Sequence, residues 1–503
     1  FQSYSIRGFS RARIRTEVDG IPIITDRRAG NAISFLPSSL INHIDVQKGP
    51  SSTLYGSEAM GGVVNLVTTD FDSNKVTASW QSNDQLSNFS ALLGSDTTQL
   101  GIAYRQADKG EASNHQELNS GFEQYAGLLK HQLNVDELTF TTSWLPSVGK
   151  NIGKSSNNFP DERVVDYSSE IHSLAQISLT SANHWLMKLF HHYQNWDTDT
   201  LRVAQRRNIT EYQSHTLGGL GLIKTAWLGG QGRIGIDWLS RKGVDIRETE
   251  LSLNQDKNFT KQVIDAKQDN YALLTDINWR LNGVSVTAGL RYDYIKQSQF
   301  IERQTRDDRK LNGSLLAQWS LTSGAIFQAE IASSFRFPTL SELYFEGETP
   351  RGTTFGNPEL LPEESVGMQF MWLAPISSSL SAKVESYYYQ LDNYIERYSV
   401  NNDLRSYRNL NKAKIYGFET LVDWHAAKAV FMQFGFQWQE GKDNNHNTLS
   451  DLHPITLTQL TQWQWKDFTI ENSLTWRHKQ TSVSSQETAR TSHLLWDLSI
   501  GKT

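Results

Sequence analysis

The sequence predicts a mainly β chain whose bulk is a transmembrane antiparallel β-barrel, and three observations carry that reading. From Lys75 onward, apolar and polar residues alternate with period two. Val284, Val286, Ala288, Leu290, Tyr292 and Tyr294 point one way, while Ser285, Thr287, Gly289, Arg291 and Asp293 point the other. Ile234, Ile236 and Trp238 repeat the pattern against Arg233, Gly235 and Asp237, as do Leu494, Trp496, Leu498 and Ile500 against Leu495, Asp497 and Ser499. Arginine and aspartate on the second face imply a wet interior, although the outer face of a soluble sandwich would read the same way. The connections separate the two. After the first hairpin, tight turns such as Ser95-Asp96-Thr97, Ser181-Ala182-Asn183 and Leu281-Asn282-Gly283 alternate with long loops, among them 145–165, 243–267, 334–363 and 391–412. Short turns at one end and long loops at the other are the outer-membrane barrel pattern, and a sandwich or propeller has no cause to keep such parity. Third, Trp185, Trp227, Trp279, Trp319, Trp372, Trp424 and Trp463 each lie within a few residues of a tight turn, as a girdle at the periplasmic interface would; Trp144, Trp196, Trp438 and Trp476 lie at the opposite strand ends.

Composition agrees and excludes several functions. Apolar residues make up 38 % of the 503, yet 11 % are aromatic. No run approaches the roughly 18 apolar residues of a transmembrane helix. The absence of cysteine removes disulfides, thiolate catalysis and sulfur-ligated metals together. A net charge of −6 with scattered Lys and Arg argues against nucleic acid as a partner.

Twenty strands are predicted, near 75–83, 87–94, 98–106, 122–131, 136–144, 166–180, 184–197, 210–225, 232–242, 268–280, 284–296, 309–320, 325–333, 364–373, 379–390, 413–425, 429–440, 453–464, 468–477 and 493–501. The first 70 residues read differently. Ile44, Val46 and Lys48 form a short alternating strand, and Gly49-Pro50-Ser51-Ser52 bends the chain. A helical turn around Leu54 and Tyr55 ends at Gly56, read as a left-handed cap. Gly61-Gly62 then opens a strand through Val63, Val64, Leu66 and Val67, where two residues without Cβ admit a close neighbour. Both strands are expected to be buried. Upstream lie Ile6-Arg7-Gly8-Phe9, Val18-Asp19-Gly20-Ile21-Pro22 and a helix-like stretch from Ile33 to Ile41.

In order and spacing these motifs resemble the plug domain of TonB-dependent outer-membrane receptors. The resemblance implies an N-terminal α/β plug, 1–70, inside the lumen of a barrel, 75–503. It also implies 22 barrel strands, so the twenty predicted leave two expected after Thr503, and more plug is expected before Phe1. A barrel short of two strands would carry an unpaired edge in lipid.

A second signature falls in the loop 334–363: Phe335-Arg336-Phe337-Pro338-Thr339, Ser341-Glu342-Leu343-Tyr344, Gly356-Asn357-Pro358-Glu359-Leu360 and Pro362-Glu363-Glu364-Ser365. It resembles the same family, in which haem receptors usually carry a histidine between the first and third boxes. None stands between Phe335 and Glu364, which leaves His43, His115 and His215 as candidate haem ligands. Ligand contact is expected at the plug apex, from Arg11 and Arg13 and from Arg27 and Arg28. Four arginines there favour an anionic ligand, because guanidinium binds carboxylate or phenolate through charge-assisted hydrogen bonds. Arg7 and Lys48, in the plug, are expected to face Glu364 and Glu419, in the barrel, as relatives' arginines face barrel glutamates. Lysine at position 48 gives up the bidentate geometry of arginine.

The function implied by the resemblance is import of a scarce nutrient across the outer membrane of a Gram-negative bacterium, energised by TonB. A ferric siderophore is preferred, then haem, then cobalamin; the ligand is an iron chelate and no resident cofactor or metal is expected. A passive barrel or adhesin would need no plug, and a soluble β-rich module would need no turn-loop parity. No catalytic site is expected: G-x-S-x-G, H-E-x-x-H and Walker patterns are absent. His191 and His192, adjacent in a strand, must face opposite ways, and Asp197, Asp199 and Glu211 read as a solvated rim.

Overall fold

The computed structural model describes residues 4–26, 33–112, 114–156, 159–181, 184–252, 258–349, 352–401, 404–484 and 487–502. Strands from Lys75–Trp80 to His493–Lys502 follow one another in chain order around a closed ring of 22. Twenty of these form the wall. The other two, Glu346–Thr349 and Gly352–Phe355, are a hairpin within the loop between Ile326–Arg336 and Glu363–Pro375, which also pair directly. Ring order brings the last strand beside the first at a seam. Among the described residues no register of paired residues spans it, and His493–Lys502 is exposed along its whole length.

Many wall strands outrun their predicted ends. The expected loop 243–267 is largely taken up by Gly230–Ser252 and Phe259–Leu281, and 391–412 by Leu380–Ser399 and Leu404–Ala427. A strand needs only about 9–11 residues to cross the hydrocarbon. The rest of each 23-residue strand rises above it as a hairpin whose outer face meets water, as at Arg247, while Val244, Ile246 and Ile264 stay buried on the inner face, so charged residues stand where lipid would demand apolar ones.

The plug is a four-stranded mixed sheet in the order Ile21–Pro22, Ile14–Val18, Gly62–Thr68, Ile41–Lys48. Ile14–Val18 runs parallel to Gly62–Leu66, and the other pairs are antiparallel. Three local expectations need correction. Ile41–Lys48 is an exposed edge strand, with Ile44 54 % and Val46 52 % accessible. The stretch from Ile33 to Ile41 holds only a 3-10 turn, Ser38–Leu40, because Pro37 is held extended (φ −62°, ψ 139°) and the next strand begins at Ile41. Gly56 ends the short helix Ser52–Tyr55 with φ 75° but ψ −146°, an extended rather than left-handed helical exit. The glycine pair admits close neighbours: a Cβ on Gly61 would stand 2.3 Å from Phe9 Cβ, and one on Gly62, at φ 142°, 2.1 Å from the Gln47 carbonyl oxygen.

Plug and barrel share one core. Phe9, Ile14, Ile23 and Leu40 from the plug pack with lumen-facing Leu128, Leu174, Tyr389 and Ile415. A second cluster lies towards the outer end, where Leu340, Leu343 and Leu360 of the 337–362 loop meet Tyr212, Val244, Ile246 and Ile264 of the wall. The loop is thus folded inward over the plug. Its helix Leu340–Tyr344 starts on a capping box between Thr339 and Glu342.

Candidate functional site

At the plug apex the 3-10 turn Arg11–Arg13, Ile24 and Asp26 meet the inward-folded loop at Arg336 and Thr339–Glu342, enclosing a small polar pocket. The loop is tied down by its backbone: Phe335 N donates to Ser52 Oγ at 3.2 Å and Phe337 N to Ser57 Oγ at 3.1 Å. Arg13 is buried. Its Nε and Nη2 donate to Glu363 at 2.9 and 2.6 Å, Nη2 also donates to the Ile395 carbonyl at 2.7 Å, and the guanidinium lies 3.9 Å from the centre of the Tyr394 ring. Arg336 reaches the same Glu363 (Nε, 2.7 Å) and Glu342 (Nη1, 2.7 Å). Two guanidiniums and two carboxylates therefore close a buried network between plug, wall and loop. Arg13, expected at the ligand, points into this network.

Arg11 behaves differently. Its side chain is 40 % exposed and its Nε lies 3.5 Å from Asp451. Arg27 and Arg28 fall outside the described residues. Asp26, just before them, is held by Arg241 and by Tyr212 Oη at 2.9 Å. Glu58, on the plug side of the pocket, is pushed up to about 7. Burial raises it and Asp26 adds to the shift, against the lowering influence of Arg15, Arg241 and Arg336.

Nearer the tight turns, Arg7 Nε lies 3.2 Å from Glu419 and Nη2 3.3 Å from Glu385, with the guanidinium 4.6 Å from the Tyr387 ring centre. Lys48 Nζ reaches Glu419 at 2.5 Å and Glu385 at 3.6 Å. Glu364, expected beside these plug cations, instead meets Lys310 and is half-exposed. The correction follows from parity: Val366, Met368 and Phe370 are exposed to lipid, so even-numbered residues of this strand face out, while Glu363, Ser365 and Gly367 face the lumen. The same rule moves Trp196 from the expected outer girdle into the lumen, where it stacks on Tyr212 with centroids 4.8 Å apart. Sequence reasoning missed Glu363, Glu385, Asp451 and Arg241; for the first, the Val366-Met368-Phe370 run was the available signal.

The histidines do not converge on the pocket. His43 stands on the exposed plug edge, His115 pairs with Glu111 in an outer loop, and His215 faces out of the barrel beside His191, Nδ1 to Nε2 at 3.1 Å. His192 faces in, 3.0 Å from His172, so the adjacent pair does point to opposite sides. Asp197, Asp199 and Glu211 lie in strands rather than a loop, with Asp199 on Arg207. Among the described residues no group of three or more acidic or histidine side chains is arranged to hold a metal ion.

This architecture of a wall around a charge-clamped plug coincides with what known families record. Residues 52–503 match the family model described as TonB dependent receptor-like, beta-barrel, and residues 1–63 match the TonB-dependent Receptor Plug Domain. The chain belongs to the TonB-dependent receptor family. The receptor is accordingly an outer-membrane transport protein and not an enzyme. It is similar to the vitamin B12 transporter BtuB of Vibrio vulnificus (strain CMCP6), 23 % identical over 99 % of this chain and 79 % of the relative. BtuB of Vibrio cholerae is 22 % identical over 89 % of this chain and 70 % of the relative. Among solved structures, the receptor shares its fold with the copper transporter OprC (TM-score 0.85, 15 % identity, 99 % of this chain and 83 % of that one). It also matches the ferric yersiniabactin uptake receptor FyuA from Yersinia pestis (TM-score 0.74, 14 % identity, 100 % and 84 %).

Proposed function

We propose that this receptor imports an anionic metal chelate, a ferric siderophore before other nutrients, through a plug displaced by TonB. The observation that carries this reading is the apical pocket. Arg11 presents a half-exposed guanidinium at its mouth, 3.5 Å from Asp451, and burial raises Glu58 opposite to about 7, while Arg13, Arg336, Asp26 and Glu342 are taken up in ion pairs. A reachable guanidinium, and a carboxyl that a neighbouring anion would keep protonated, together suit catecholate, hydroxamate or carboxylate oxygens. Haem ranks lower, since no histidine lines the pocket among the described residues. Cobalamin is the second reading. It is favoured by the likeness to the two Vibrio transporters and by the self-compensation of Arg13 with Glu363 and of Asp26 with Arg241, which leaves Arg11 as the main reachable charge. A passive barrel or adhesin has no use for a plug clamped at both ends.

The test is binding of a panel of ferric siderophores, haem and cobalamin to the detergent-purified receptor by tryptophan quenching. Trp196, stacked in the cluster behind the pocket, is placed to report a bound chromophore. Tight binding of an anionic ferric chelate, weakened by Arg11→Ala, is the expected result. Binding of cobalamin alone, indifferent to Arg11→Ala, would replace the first reading by the second.

A further inference from the structure

The outward face of six consecutive strands, from Trp185–Arg202 to Gln304–Ser320, carries a feature that ligand import does not use. Across their ladders Met187, Gly221, Ile236, Leu273, Tyr292 and Leu311 stand opposite one another, and all face lipid. They line an apolar groove of about 820 Å³. Its floor is Gly221, where an added Cβ would touch only Ile236, at 3.5 Å. A side chain at this position would fill the groove.

On the same face, farther from the tight turns, basic side chains interleaved with Asp269 and Asp307 replace the apolar ones. From Trp227 to His215, Gly230 to Lys242, Trp279 to Lys267 and Val284 to Lys296 is twelve residues along each strand, and from Trp319 to Arg309 it is ten. That is about the length a tilted strand needs to cross the hydrocarbon. The girdle at one end therefore places these five side chains together at the other interface, the one beside the long loops. Asp269 takes up Lys267 at 2.6 Å, and Asp307 lies 4.0 Å from Arg309. His215 faces His191, and is directly opposite Lys242. Lys242 and Lys296 are exposed and, among the described residues, in no ion pair; Lys296 stands across its ladders from Asp269 and Asp307, whose carboxylates turn to Lys267 and Arg309 instead. Ser240 shares the row of Lys296, so Lys242 lies two strands across and two residues along, about 12 Å away, a gap that two lysine side chains can close on one phosphate.

We propose that this sector is a seat for a phosphate-bearing lipid of the outer leaflet, with an acyl chain in the groove and its phosphate between Lys242 and Lys296. The pairing of a chain-deep groove with two lysines outside any ion pair, one membrane thickness from the girdle, is what distinguishes it from ordinary lipid contact. The full chain in detergent, titrated with bisphosphorylated lipid A and with dephosphorylated lipid A of the same acyl composition, tests it by native mass spectrometry. The phosphorylated form should be retained about tenfold better. A Lys242→Gln, Lys296→Gln double variant should bring it down to the dephosphorylated level without lowering that level, and Gly221→Leu should weaken both. Heat-modifiable migration in gels verifies that each variant is a folded barrel. Equal retention of both lipids by the parent protein, or undiminished preference in the double variant, overturns the proposal.

Discussion

Replacing Glu363 by Gln is the sharpest probe of how the plug is held. The side chain is buried, and its two oxygens accept from Arg13 and Arg336 and from the backbone of Ile395. Glutamine keeps the shape and one acceptor but removes the charge, leaving Arg336 with Glu342 and Arg13 with a carbonyl and an aromatic face. Breaking a buried pair on one side costs about 3–5 kcal/mol, because the remaining guanidinium stays desolvated without its counter-charge. If release of the apex requires Arg13 to leave this site, hydrogen exchange along Ile14–Val18 should speed up by about two to four decades. Neighbouring Glu364→Gln is the internal control: it pairs with Lys310 of the wall rather than with the plug and is half-exposed, so about 0–1 kcal/mol is expected. The barrel's heat-modifiable migration should survive both changes. Exchange in Glu363→Gln within threefold of the parent, or equal effects of the two variants, would refute the network as an anchor.

Three further outcomes follow from the plug. Glu419→Ala leaves Arg7 with Glu385 and Lys48 with a partner 3.6 Å away, so the plug should become protease-sensitive; unchanged resistance would count against this lower clamp. Glu58, pushed up to about 7 from a normal 4.5, favours the fold below its unfolded value and loses that contribution as pH rises through 7. The full effect is about 3 kcal/mol, so proteolysis of the plug should be slower at pH 5 than at pH 8.5, and Glu58→Gln should flatten the difference. Gly61→Ala must displace Phe9, 2.3 Å from the new Cβ, at a cost of about 1–3 kcal/mol read as a lower melting temperature of the plug.

Fold class was legible because period-two alternation and turn parity are direct consequences of a wall with lipid on one side and a filled lumen on the other. Strand ends were not, since above the membrane Asp245, Arg247 and Lys261 are strand residues that water lets read as loop. The lower clamp was readable only through motif resemblance: nothing local to Arg7 or Glu419, 412 residues apart, announces that they meet. Arg13 illustrates the harder failure. An arginine-rich turn looks like a ligand site until the burial of its partner is known, and Glu363 becomes visible only when parity is extended backward from the exposed Val366-Met368-Phe370 run. Ile44 and Val46 failed for the opposite reason, as apolar residues on an edge strand whose far side has no neighbour among the described residues.

The two clamps also have a mechanical meaning. Gln369, which contacts Arg7, and Glu363, which holds Arg13, are six residues apart on one strand, about 20 Å at 3.3 Å per residue. Contacts stacked along the direction of a pull do not share the load. A tug from the tight-turn end is borne first by Arg7 and Lys48, and the apex feels it only after they part. The force required is then that of the stronger clamp rather than the sum of both, and extraction passes through a state in which the lower half of the plug hangs free beneath an apex still docked.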